Sequence, residues 1–385
     1  MELYVHIPFC AKKCEYCSFV SFPAPDLQKD AYIGALLREA EQRRTEINEP
    51  VTTAYIGGGT PSLLSPSQLI RLVSGLRGIF PMDECGEFTI EANPGTVTEP
   101  FMEAVSSLRI NRLSIGMQAF QPRLLKTLGR IHSFEEVKKT VRMAEKYGLR
   151  NLNLDLIFGI PGQTAEEWDE TLEAALSLRP VHISAYGLIP EEGTPLWERL
   201  IRKECSLPDP DLERDMYDHA IRRLEENGLF QYEISNFARK GYECRHNIGY
   251  WTQEPYIGLG ISAASMRIAG KGKGGMFCLR RTNPDKMDRY LSMAGKDGAA
   301  VPEEETVLPR DARFETMMLS LRMNRGITPE RFCELHGVSL ESCFGGPLAK
   351  MESAGLMCFR DGAWCLTRKG MDVQNSVLLE FMDGP

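Results

Sequence analysis

The chain has no surplus of basic charge: 45 Lys and Arg stand against 53 Asp and Glu, a formal charge of −8 over 385 residues. A general nucleic-acid binder needs a net basic surface, so that class is excluded. No apolar run approaches the roughly 18 residues that a membrane span requires. The opening residues Met1-Glu2-Leu3-Tyr4-Val5 run directly into a strand pattern and lack the basic and apolar regions of a secretory signal. Both absences point to the cytoplasm. No solenoid-type period recurs. The 11 cysteines are an odd number without a regular framework, which in a reducing compartment favours free thiols and metal ligands over disulfides. What remains is an ordinary globular composition, long enough for one large domain and a smaller one.

Three of the cysteines crowd into the run His6-Ile7-Pro8-Phe9-Cys10-Ala11-Lys12-Lys13-Cys14-Glu15-Tyr16-Cys17-Ser18-Phe19. Three thiolates on one loop can hold three corners of a cubane iron–sulfur cluster and leave the fourth iron open. Two other readings compete. Free cysteines are often core residues, but core cysteines do not gather in a Lys-rich loop. Zinc with His6 as fourth ligand is the second, although zinc sites usually pair cysteines as C-x2-C across two elements.

Short apolar runs at 3–7, 53–57, 87–91, 112–117, 151–157 and 182–188 read as strands. Helical patterns at 29–45, 66–78, 99–108, 133–147 and 165–178 lie between them, with start signals at Ser65-Pro66, Thr98-Glu99-Pro100 and Ser133 with Glu136. Six βα units predict a parallel sheet with right-handed crossovers. They are too few for a closed eight-stranded barrel and predict an open three-quarter (β/α)6 barrel of TIM type. We divide the chain into a barrel over 1–205, a middle segment over 206–302 and a C-terminal domain over 303–385. The middle segment should hold a helix over 211–227 stopped by Gly228, a strand over 232–237 and a Gly/Lys-rich loop over 269–275. The C-terminal part should hold helices at 309–325, 328–336 and 347–354, a hairpin around Asp361-Gly362 and a last helix over 368–382. That order is winged-helix-like, without the basic stripe of a DNA reader.

Sites on βα barrels lie at the carboxyl ends of the strands. The residues there are the three cysteines, Gly57-Gly58-Gly59-Thr60-Pro61, Glu91, Gln118 and the turn after residue 157. Bare backbone at the glycines can grip the amino-acid part of a cofactor. Glu91 can accept from an ammonium, and Arg130 can pair with a carboxylate through its planar fork. Asp155 sits in an apolar run, where a carboxylate needs a partner such as a ribose diol. Each alone is more often a surface charge or a helix cap; together they describe a pocket for an amino acid joined to a nucleoside.

Those motifs, with Ser114-Ile115-Gly116-Met117-Gln118-Ala119-Phe120 and Asp155-Leu156-Ile157-Phe158-Gly159-Ile160-Pro161-Gly162-Gln163, resemble the radical S-adenosylmethionine superfamily and, within it, the oxygen-independent coproporphyrinogen III oxidase family. The resemblance implies a [4Fe-4S] cluster on Cys10, Cys14 and Cys17. It also implies S-adenosylmethionine chelating the open iron and yielding a 5′-deoxyadenosyl radical on one-electron reduction. It places cofactor contacts at Tyr4, Tyr16, Gly58, Gly59, Thr60, Glu91, Gln118, Arg130, Asp155 and Gly187.

The porphyrinogen-oxidising branch has a fourth loop cysteine where this chain has Phe19, and an N-terminal extension before its first strand. His246-Asn247-Ile248-Gly249-Tyr250-Trp251 instead resembles the signature of the family's heme chaperone branch. An imidazole beside two aromatics suits a heme, with His246 as iron ligand and Cys244 as a weaker second candidate. A core histidine satisfied by hydrogen bonds is the competing reading. Ser262-Ala263-Ala264 departs from the branch, which has a histidine in that step. The expected function is a chaperone that binds heme and delivers it to apoproteins. An electron donor, a membrane-associated client and a homodimer are expected with it. The alternative is an enzyme acting on a porphyrin(ogen), as a coproporphyrinogen III dehydrogenase or a methyltransferase.

Overall fold

The computed structural model describes residues 1–47, 49–270, 275–294 and 301–382. Six parallel strands form its centre: β1 (Glu2–Ile7), β2 (Thr53–Gly58), β3 (Glu87–Ala92), β4 (Arg112–Gln118), β5 (Asn151–Phe158) and β6 (His182–Gly187), paired in chain order. Alternation along them separates two faces. Leu3, Val5, Ile7, Ile56, Ile90, Ile115, Leu154 and Ile183 face the covering helices and are buried. The intervening positions carry Tyr4, Tyr55, Glu91, Ser114, Asp155 and Ser184.

The helices are α1 (Asp26–Gln42), α2 (Pro66–Ile79), α3 (Glu99–Ser107), α4 (Pro122–Thr127), α5 (Phe134–Lys146), α6 (Ala165–Ser177), α7 (Pro195–Ile201) and α8 (Pro210–Glu226). Their starts lie where the capping residues put them. Ser65, Ser133 and Thr164 each accept from the backbone three residues on, and Gln68, Glu136 and Glu167 reach back. Each such cap contributes about 1 kcal/mol.

The middle segment departs from expectation. The strand expected over 232–237 is a hairpin, β7 (Phe230–Glu233) and β8 (Asn236–Ala238), and β8 lies antiparallel on β6. Then come α9 (Arg245–Trp251), β9 (Tyr256–Leu259), β10 (Ala264–Gly270), β11 (Phe277–Thr282), α10 (Met287–Met293) and β12 (Glu303–Val307). β9 pairs in parallel with β1, so one mixed sheet of 12 strands runs β12-β11-β10-β9-β1-β2-β3-β4-β5-β6-β8-β7. β12 hides in sequence because Glu303-Glu304-Glu305 looks like a solvated turn. Its register sets Glu304 and Glu305 opposite Arg281 and Arg280, a cross-strand charge pattern suited to an edge. Of the Gly/Lys-rich segment, residues 271–274 lie outside the described residues, and 269–270 end β10.

The C-terminal part contains α11 (Pro309–Ser320), α12 (Pro329–His336), α13 (Leu340–Ser353), β13 (Met357–Arg360), β14 (Ala363–Leu366), α14 (Arg368–Asp372) and α15 (Gln374–Leu379). α13 starts seven residues before the expected 347, since Leu340, Phe344, Leu348 and Met351 form one buried stripe that outweighs Pro347. The last helix is two short ones, broken at Val373.

Candidate cofactor site

β1 ends at Ile7, and the cysteine loop follows it. Phe22 N donates to Pro8 O at 2.8 Å and Cys10 N to Phe22 O at 3.1 Å, which pinches the loop at its neck. Glu15 ties the loop down on both sides, its amide to Leu128 O at 3.0 Å and its carbonyl to Leu196 N at 2.8 Å. His6 spends its ring nitrogens on Tyr4 Oη and Val20 O, each at 3.0 Å, so the zinc reading loses its fourth ligand.

All three thiols are half-buried and line one cavity of about 470 Å3. The same cavity is lined by Tyr16, Gly58, Gly59, Thr60, Glu91, Gln118, Arg130, Asp155 and Gly187. Every expected cofactor residue is there except Tyr4, whose hydroxyl bonds His6 and which lines a separate cavity with Tyr250 and Trp251, and His246. Among the described residues no three His, Cys, Asp or Glu side chains converge on a point that would hold a single metal ion. Thiols spread around a cavity suit a cubane, in which each iron takes one of them.

The glycines permit close approach. Gly58 has φ +108°, and a Cβ there would stand 2.4 Å from the His6 ring. At Gly59 a Cβ would meet Ile7 O and Phe9 O at 2.8 Å. Gln118 is a non-glycine residue at φ +63°, where the β4–β5 register shifts. Such a backbone is strained, and strain of this kind concentrates at functional sites.

The polar groups are held rather than loose. Glu91 accepts from Tyr55 Oη at 2.8 Å and from Gly58 N at 3.0 Å. Burial pushes its carboxyl up to about 7, against the pull of the Tyr55 bond. Asp155 accepts from Ser114 Oγ and Asn153 Nδ2 at 2.8 Å each; burial raises it and these bonds oppose the rise. Arg130 donates to Gly116 O at 2.8 Å and faces Cys14 Sγ at 3.6 Å. Its Nε is buried without a partner among the described residues. A guanidinium with a spare donor and two carboxylates form a polar ring that a zwitterionic ligand complements.

His246 is elsewhere. Helix α9 closes the opposite, amino-terminal end of the strands. Glu87, at the start of β3, accepts from the amides of Arg245 and His246 at 3.0 Å, and Gly249 packs on Glu2. The His246 ring is 1% exposed. Its Nδ1 pairs with Thr53 Oγ1 at 2.8 Å and its Nε2 with Tyr250 Oη at 2.9 Å. Both ring nitrogens are thus occupied and the ring is held in the core, as the competing reading of a hydrogen-bonded histidine expects. Cys244 is fully buried beside Glu87, so it too is turned from solvent.

Sequence reasoning gave no role to Tyr55 and Tyr186, nor to Asn93 and Ser114 within the runs it quoted, and all four line the cavity. The signal for three of them was strand parity: Tyr55 stands two before Gly57, Ser114 four before Gln118, and Tyr186 opposite Ile157 in the β5–β6 register.

The radical SAM superfamily model matches residues 4–175, and the HemN C-terminal domain model matches 307–373. The chain is 33% identical to "Heme chaperone HemW" of Bacillus subtilis, with 98% of both chains covered. It is 33% identical to the Escherichia coli protein of the same name, covering 99% of this chain and 98% of that one. Among solved structures, coproporphyrinogen III oxidase (HemN) from Escherichia coli, titled a radical SAM enzyme, superposes with a TM-score of 0.83 at 23% identity. It covers 99% of this chain and 90% of that one. That likeness shows a shared fold.

Proposed function

Since this chain belongs to the heme chaperone HemW family of the radical SAM superfamily, we propose that it binds a [4Fe-4S] cluster, S-adenosylmethionine and heme, and delivers heme to apoproteins. The observation that carries the cofactor half is the gathering of Cys10, Cys14 and Cys17 with Glu91, Arg130 and Asp155 around one cavity. Cys10, Cys14 and Cys17 each hold one iron. Arg130 takes the ligand's carboxylate through its planar fork, and Glu91 in its ionised form accepts from the ammonium. Asp155, fixed by Ser114 and Asn153, accepts from the ribose hydroxyls. Gly58, Gly59, Thr60, Gln118, Tyr16 and Gly187 supply backbone and wall, and Tyr4 supports His6 through its hydroxyl. The chemistry that a reduced cluster supplies when bound is one electron to the sulfonium centre. The cavity keeps water and stray hydrogen donors from that centre.

The six βα units act as an open three-quarter barrel, with 206–302 and 303–385 as the family-specific and winged-helix-like parts. Among the described residues no helix is long and apolar enough to cross a membrane. We place the chain in the cytoplasm, with an electron donor, a membrane-associated client and a homodimer as its expected partnerships. For His246 to ligate heme iron, the Tyr250 bond to Nε2 must open first. The test is heme titration of anaerobically reconstituted protein. Stoichiometric binding supports the chaperone. Porphyrinogen-dependent 5′-deoxyadenosine production without heme binding rejects it in favour of an oxidase or methyltransferase.

A further inference from the structure

Outside the cofactor site, two thiols touch. Cys358 on β13 and Cys365 on β14 are cross-strand partners, with sulfurs 3.6 Å apart. Trp364 turns its amide and carbonyl outward to Ile327, each bond 2.9 Å. Cys365 therefore turns its own inward, and the Cys358–Cys365 couple is of the hydrogen-bonded kind, with Cα atoms about 5.5 Å apart. Disulfides commonly span about that separation. The sulfurs must close by about 1.5 Å to reach bonding distance.

The surroundings favour chemistry over packing. Met357 and Leu366 turn into the C-terminal core from one face of the hairpin. The other face carries the thiols, and Cys365 lines a cavity of about 470 Å3 together with Arg325, Arg331, Arg360 and Glu254. Cys358 is half-buried and Cys365 is buried. Cys358, half-buried, is the sulfur that a small disulfide reaches first, and Cys365 stands in contact with it. The cavity wall carries Arg325, Arg331 and Arg360 against Glu254 and Asp361, a net positive lining that suits an anionic reagent. The buried thiol keeps its proton until it acts: burial and the neighbouring sulfur push Cys365 up to about 11.

We propose that Cys358 and Cys365 form a reversible dithiol–disulfide site, oxidised by small-molecule disulfides. Cys358, having given its proton to solvent, attacks one sulfur of the reagent as thiolate, forming a mixed disulfide and releasing one thiolate, which takes up a proton from solvent. Cys365 then attacks Cys358 Sγ, giving its proton to the second leaving thiol. One protein disulfide forms, one reagent disulfide is reduced to two thiols, and the protons balance.

The test uses the full chain, cluster-loaded and anaerobic, in mixtures of oxidised and reduced glutathione. The protein is quenched with N-ethylmaleimide, digested and mapped by mass spectrometry. The expected result is a Cys358–Cys365 linkage that rises with the oxidised fraction, reverses on reduction and leaves cluster absorbance unchanged. In C365S, Cys358 should stop as a glutathione adduct; C365A repeats the test should the serine variant misfold. The proposal is overturned by alkylation of both thiols at every ratio, or by a glutathione adduct that persists on wild-type Cys358.

Discussion

Tyr55 links the two ends of the central strands: its hydroxyl donates to Glu91 at 2.8 Å, and its ring stacks on His246 with centroids 5.3 Å apart. One side chain thus joins a carboxylate of the cofactor cavity to the histidine that anchors α9.

Tyr55→Phe should weaken S-adenosylmethionine binding about tenfold, since a hydrogen bond to a charged acceptor is worth roughly 1.5–3 kcal/mol. Losing the bond also removes a group that holds the Glu91 pKa down, and with that bond in place burial already raises it to about 7. Binding that requires ionised Glu91 strengthens as pH rises through that value. In the variant the midpoint should move upward. Calorimetric titration across neutral pH reads both effects, and an unmoved midpoint with unchanged affinity removes Tyr55 from the site.

Buried carboxyls should make the unliganded chain less stable as pH rises. Burial pushes Glu2 up to about 8 from 4.5, and one of its oxygens has no hydrogen-bond partner among the described residues. Between those values the native state holds a proton that the unfolded state has lost, so stability falls with pH across that window. Glu2→Gln should flatten the fall and stabilise the protein by about 2 kcal/mol at the alkaline end. Denaturant melts at several pH values check the sign; an equal effect at acid and alkaline pH contradicts it.

Tyr250→Phe frees the Nε2 of His246 from its 2.9 Å partner. With His246 as heme ligand, the variant should bind heme several-fold tighter, because one neutral hydrogen bond of about 1 kcal/mol no longer competes. His246→Ala should abolish that binding and also lower the melting temperature. Unchanged heme spectra in both variants would assign the ligand elsewhere.

Gly59→Ala should cost cofactor binding through the backbone. Its Cβ would press on two carbonyl oxygens at 2.8 Å, and strain of this kind costs roughly 1–3 kcal/mol. Cluster content should persist while S-adenosylmethionine affinity falls; retained affinity would show that the turn has room to relax.

The cofactor cavity was legible because its chemistry is local to strand ends. Glu91 and Asp155 lie in alternating runs whose parity aims them at one side, and Gln118 closes β4 at its register shift. The chaperone-branch motif was legible as a pattern but not as a place. Nothing in the hexad from His246 to Trp251 says that Glu87, Thr53 and Glu2, from three distant strands, will close around it. The edge strands were hidden for a related reason: β9 to β12 are stabilised by pairing with β1 and with each other, a tertiary cause that local propensity does not record.

The central claim is a cubane carried by three thiolates with one iron left for a ligand. Anaerobic iron and sulfide analysis with electron paramagnetic resonance, before and after adding S-adenosylmethionine, tests it most directly. The account predicts about four irons and four sulfides per chain, a signal shifted by the added molecule, and loss of both in Cys14→Ser. Zinc in place of iron, or a cluster signal indifferent to S-adenosylmethionine, would contradict it.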